Sequence, residues 1–281
     1  MDVFSYLLGK SKGTGGGITP VGTINITENG TYDVTNYASA EVETPTPRDW
    51  SQIGYTSEPS FIDAGFQYAK TIKDNYVETT DWQAKFENDT QLIFAPLIDT
   101  SNVTNMWSTF SNCSNLLTVP NYDTSNVTSM RAMFQVCLHL NNFKPSFDTS
   151  NVTSMMYMFR RCYGLQKIDL TSFDTSKVDT MKEMFNNCEY LEEADLSSFT
   201  SDVLTDASTM FAYCKSLKRL DMRAFDFTVL STATSRNNMF GASATYGPPD
   251  NCLIIVKDAS QKSWFSTYFS RFTNVRTPEE L

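Results

Sequence analysis

Asp169, Asp195 and Asp221 stand 26 residues apart, each between two apolar residues of the same short string. On adjacent strands their carboxylates would lie about 5 Å apart, the separation a retaining glycosidase uses. Cys113, Cys137, Cys162, Cys188 and Cys214 make a second regular series, close enough for disulfides or a thiolate metal ladder. Thiolate metal sites, however, need Cys and His clustered at short spacing. The chain has one histidine, His139, and no Cys-x-x-Cys, so the expected reading is a reduced, buried column with the sixth, Cys252, off register. Asp99, Asp123, Asp148 and Asp174 each open an Asp-Thr-Ser string. Calcium would need six or more converging oxygens, whereas a turn-and-cap role accounts for these residues without an ion. Cys137 belongs to the buried column and His139 is left without a nucleophile. Phosphate-binding glycine loops and nucleophile elbows do not occur. The expectation is a protein that is not an enzyme and carries no cofactor or metal.

These series exist because the chain repeats. Phe110, Phe134, Phe159, Phe185 and Phe211 are spaced by 24, 25, 26 and 26 residues, each three residues before its cysteine. A period of this length implies a solenoid of units too small to bury their apolar faces alone. Counting back from each Phe, a Val or Leu column (Val103, Val127, Val152, Val178, Leu204) lies at minus seven. A Met column (Met106, Met130, Met155, Met181, then Ala207) lies at minus four. These offsets put Val, Met, Phe and Cys on one stripe of a helix, for which the preceding Asp-Thr-Ser supplies N-cap chemistry. After the Cys, strings such as Leu165, Ile168 and Leu170, or Leu217, Leu220 and Met222, read Leu-x-x-Leu-x-Leu and predict a short strand. The predicted fold is α/β: a leucine-rich-repeat solenoid of helix-turn-strand rungs with a small N-terminal β module.

Degenerate copies around Phe86 and Phe240 mark the ends of the array, as expected of terminal repeats. Four segments follow: an attachment peptide and glycine-rich tether over 1–17, a β-hairpin module over 18–47 around Asn29-Gly30, the solenoid over 48–250, and a closing cap over 251–281. In the cap, Cys252–Val256 predicts a strand, and Ser260–Phe269 a short helix whose aromatics plug the last rung. The apolar run within residues 1–10 is too short to span a bilayer and lacks the features of a signal peptide.

The string Phe-Asp-Thr-Ser-x-Val-x-x-Met-x-x-Met-Phe-x-x-Cys-x-x-Leu, over roughly residues 86–245, resembles the leucine-rich repeats of the BspA-like group, first noted in mycoplasma and oral-bacterial surface proteins. Thr200 and Ala207 make the fifth copy depart from it. That resemblance implies surface display and adhesion. The strings ITENGTYDVTNYASAEV and RDWSQIGYTSEPSFIDAGFQYAK resemble segments of phage and prophage tail and other structural proteins, implying attachment to a virion or tail protein through residues 1–45.

Net charge of −10 with scattered basic residues excludes a nucleic-acid backbone partner and argues against membrane insertion. Outward strand positions differ from copy to copy while buried columns stay fixed. The expected ligand-binding residues are therefore Asn142, Lys144, Lys167, Asp169, Glu193, Asp195, Arg219 and Asp221, holding a cell-surface protein or glycan. The expected function is a phage or prophage tail-associated protein, located in the virion, that recognises a host cell. A purely structural virion component and a bacterial surface adhesin are the alternatives.

Overall fold

The computed structural model describes residues 25–26, 32–33 and 76–281, apart from 141–142, 144, 231, 233–235 and 237. The attachment peptide and most of the 18–47 module lie outside the described residues. Strands β1 (Asn25–Ile26) and β2 (Tyr32–Asp33) pair antiparallel, Asn25 with Asp33 and Ile26 with Tyr32.

The Leu-x-Leu strings form strands. β3 (Lys167–Asp169), β4 (Glu193–Asp195), β5 (Arg219–Asp221), β6 (Leu253–Ile255) and β7 (Val275–Arg276) make one parallel sheet in chain order. The register is one repeat per strand, with Ile168 opposite Ala194 and Ala194 opposite Leu220. In the earlier copies the same position is reduced to single bridges, Phe94 with Thr118 and Phe143 with Ile168. A second bridge column runs Asp81, Asn105, Ser129, Ser154, Thr180 and Asp206, one residue per copy.

The helix expected over each Val-to-Cys segment does not form; those residues are a chain of turns. In an α-helix every amide donates four residues back. Here alternate amides leave the segment altogether. Met106, Ser108, Phe110 and Asn112 donate to the carbonyls of Ser129, Arg131, Met133 and Gln135 in the next copy, at 3.0, 2.8, 2.9 and 2.7 Å. The intervening Thr109, Ser111 and Cys113 donate three residues back, to Met106, Ser108 and Phe110. Sending every second N–H sideways requires the chain to reverse hand locally. The 13 non-glycine residues with positive φ among the described residues all stand two positions before or after the repeat phenylalanine, as do Ser108 at 55° and Asn112 at 60°. A purely right-handed helix is incompatible with that pattern, although the inward offsets are those expected. Val103, Met106, Phe110 and Cys113 and their equivalents are all buried.

Stacking of the copies brings the phenylalanines face to face. Ring centroids from Phe86 through Phe110, Phe134, Phe159, Phe185 and Phe211 to Phe240 are 5.4 to 5.7 Å apart. Phe173 and Phe199 stack in a second column at 6.4 Å. At the C-terminal end helix α1 (Ala259–Tyr268) is capped by the Asp258 carboxylate, which accepts from the Gln261 amide. Its Phe265 meets Phe240 edge-on at 5.4 Å, and Phe269 and Phe272 close on the same ring.

The left-handed positions differ in how well their residues suit them. Asn88, Asn112 and Asn187 tolerate the conformation, but Val136, at φ 61°, is β-branched. Val136→Asn is expected to stabilise the protein by about 1 kcal/mol, the lower end of the left-handed penalty for an L-residue. Urea unfolding should show a raised midpoint with an unchanged slope.

Candidate functional site

The polar columns divide into those that join copies and those that face outward. In the Asp-Thr-Ser strings each Asp Oδ1 accepts from the amide two residues on: Ser101 to Asp99, Ser125 to Asp123, Ser150 to Asp148 and Ser176 to Asp174, at 2.9 to 3.0 Å. The serine amide bonded to Asp99 and to Asp174, and the serine hydroxyl bonded to Asp148, hold these three carboxyls below the usual carboxylate range. The neighbouring hydroxyl reaches the next copy. Thr124, Thr149, Thr175 and Ser201 donate to the carbonyls of Asp148, Asp174, Thr200 and Asp226. Asn126 and Asn151 donate to the carbonyls of Ser101 and Ser125 in the preceding copy. Where the fifth copy has Thr200 in place of Asp, its buried hydroxyl finds no hydrogen-bond partner among the described residues. These strings are seams between copies.

The cysteines do comparable work inside. Cys113, Cys137, Cys162, Cys188 and Cys214 donate their thiol protons to the carbonyls of Phe86, Phe110, Phe134, Phe159 and Phe185, at 3.0 to 3.2 Å. Each such carbonyl from Phe110 to Phe185 also accepts the amide of its own copy's Cys, so both lone pairs are used. All six cysteines are free and buried, and burial pushes the thiols of Cys113 and Cys188 up to about 12. A protonated thiol is the form that can donate, and the thiolate that would attack or bind metal is suppressed. Among the described residues no group of three or more His, Cys, Asp or Glu side chains is placed to hold a metal ion.

Of the eight expected ligand-binding residues, Asn142 and Lys144 lie outside the described residues. The other six line up on β3, β4 and β5: Lys167 opposite Glu193 opposite Arg219, and Asp169 opposite Asp195 opposite Asp221. Several of their charges are used within the sheet. Lys167 Nζ lies 2.7 Å from Glu193 Oε1, and beside it Lys218 Nζ lies 2.7 Å from Glu192 Oε1. Asp169 accepts from the amide and hydroxyl of Thr171, and Asp195 from the amide of Ser197, so both also stop the turn after their strand. Asp221 departs from the expected outward position. Its carboxylate is fully buried beneath the guanidiniums of Arg219 and Arg223, both of which donate to it. Arg223 lies beyond the strand, and its strong bidentate contact draws the carboxylate in.

A different polar cluster lies on the turn segments. The Arg131 guanidinium sits 5.2 Å from the ring centre of Trp107 and 5.3 Å from that of Tyr157. Arg160 stands 5.5 Å from the same Tyr157 ring, with its Nε 2.9 Å from Glu183 Oε2 in an ion pair. Trp107 keeps 39% of its surface exposed. The four stacked residues come from three copies, so no single repeat displays them. The one signal available in the sequence is an aromatic at an outward offset, Trp107 three residues before its phenylalanine.

A family model described as "Mycoplasma protein of unknown function, DUF285" matches residues 80–169 and 145–249, more than half of the chain. That is the family of the BspA-like mycoplasma repeat proteins. No curated protein matches the chain. Among the described residues no helix is long and apolar enough to cross a membrane.

The three strand aspartates should respond differently to neutralisation. Asp221→Asn leaves two guanidiniums facing a buried amide and is expected to cost about 3 kcal/mol. Asp169→Asn, at an exposed turn, should cost less than about 1 kcal/mol. Equilibrium urea unfolding of the two variants measures the difference.

Proposed function

Because the chain belongs to the family of BspA-like mycoplasma repeat proteins, we propose that its copies form a solenoid whose outward columns recognise a bacterial cell surface, as part of a phage or prophage tail. The observation that carries this reading is the contrast across β3 to β5. The inward positions are uniformly buried and apolar, Ile168, Ala194 and Leu220, while the outward neighbours change from Lys167 to Glu193 to Arg219. A scaffold held by invariant contacts leaves those positions free to vary with a ligand. The ligand is a cell-surface protein or glycan, and residues 1–45, which hold the string ITENGTYDVTNYASAEV, are the proposed attachment to the particle.

A second reading is a structural virion component, with the repeats serving as spacer or decoration. The pairing of Lys167 with Glu193 and of Lys218 with Glu192 favours it, since those charges already have partners within the chain.

The test is binding of the labelled full chain to a panel of gut and oral bacterial cells, beside an Asp169→Lys, Asp195→Lys variant that leaves the buried Asp221 in place. Saturable binding to some strains, weakened at least tenfold in the variant, is the expected result. Absence of binding to every strain, with the chain present in purified particles, would favour the structural reading.

A further inference from the structure

We propose that Trp107, Arg131, Tyr157 and Arg160 form a binding site for an acidic saccharide, one whose pyranose rings carry carboxylates. The inference rests on the cell-surface reading and adds to the strand columns a second contact face with its own ligand class. Arg131 is the central group. Its planar guanidinium is held between the Trp107 and Tyr157 rings, while its side chain makes no hydrogen bond or ion pair among the described residues. None of its nitrogens is a buried orphan, so its donors are left to solvent. A guanidinium in contact with two rings has less rotational freedom left to lose than one free in solvent. Its fork of N–H donors matches a carboxylate bidentately.

The neighbours suit the same ligand. Trp107 stacks on one cation and is 39% exposed, offering an apolar ring surface to the C–H face of a sugar beside the arginine. Arg160, on the Tyr157 ring, supplies a second cation one copy along, partly neutralised by Glu183. Local charge is opposite to that of the whole chain. Over the six turn segments from Gln83 to Tyr213, from three before to two after each phenylalanine, stand Lys85, Arg131, Arg160, Arg161 and Lys182 against Glu87 and Glu183, in a chain of net charge −10. A polyanion is thus favoured at these segments, in contrast to the acidic balance of the chain as a whole. Because copies succeed one another at a near-constant spacing, a chain of acidic sugars would meet the arginines in succession.

Isothermal titration of the full chain with a galacturonic acid hexamer, an α2,8-linked sialic acid hexamer and neutral maltohexaose tests the proposal. At least one acidic hexamer should bind, with maltohexaose at least tenfold weaker. Arg131→Lys, which keeps the charge but not the fork, and Trp107→Ala should each weaken binding at least tenfold, and Trp107→Phe should weaken it less. Thermal unfolding of each variant checks that the stack alone has changed. Failure of both acidic hexamers to bind would overturn the proposal, as would wild-type affinity in Arg131→Lys or Trp107→Ala. Cell binding that survives both variants would overturn the saccharide site and leave the cell-surface reading standing. Saccharide binding without cell binding would do the reverse.

Discussion

Every feature of the structure depends on where the alternate amides of the turn segments go. By donating to the next copy instead of back along their own segment, the amides of Phe110, Phe134, Phe159 and Phe185 fix neighbouring copies in register. That register sets the phenylalanine rings 5.4 to 5.7 Å apart and places each cysteine thiol under the preceding phenylalanine carbonyl. An unpartnered backbone group in so apolar an interior would cost about as much as a lost hydrogen bond. The lateral pattern satisfies amides and carbonyls together, and the left-handed residues on either side of each phenylalanine are its conformational cost.

With backbone polarity satisfied between copies, the side-chain columns fall into two kinds. Asp, Thr, Asn and Cys columns repeat because each contact must recur at each junction. The remaining columns are released from that duty, and part of their variety is matched across the junction, as Lys215 with Glu189 and Lys167 with Glu193. The groups available for the proposed recognition are those that this pairing leaves over. Arg131, stacked and without a side-chain hydrogen bond or ion pair among the described residues, is such a group, whereas Asp221, enclosed by two arginines, is not.

Much of this was legible in the sequence, and the misreadings have physical reasons. The Leu-x-Leu strings gave strands β3 to β5 where expected, and α1 and β6 lie in the stretches read as helix and strand. The Val-to-Cys segment was misread because inward offsets of three, seven and ten fit a helical stripe and a chain of turns equally well. The left-handed positions carry no compositional mark: Ala132, Tyr157, Glu183 and Thr209 occupy them as readily as Asn112. Asp221 looked equivalent to Asp169 because its fate is decided by Arg223, outside the strand string. The Trp107 stack escaped a column-by-column reading since only Trp107 and Arg131 share an offset, three before their phenylalanines, while Tyr157 and Arg160 stand two before and one after theirs.

The lateral pattern can be checked in solution by assigning backbone chemical shifts over Val103–Cys113 and its equivalents in the full chain. Left-handed Cα and Cβ shifts are expected at Ser108 and Asn112, with slow exchange at the amides of Ser108, Phe110 and Asn112. Uninterrupted helical shifts from Val103 to Cys113 would contradict the lateral pattern.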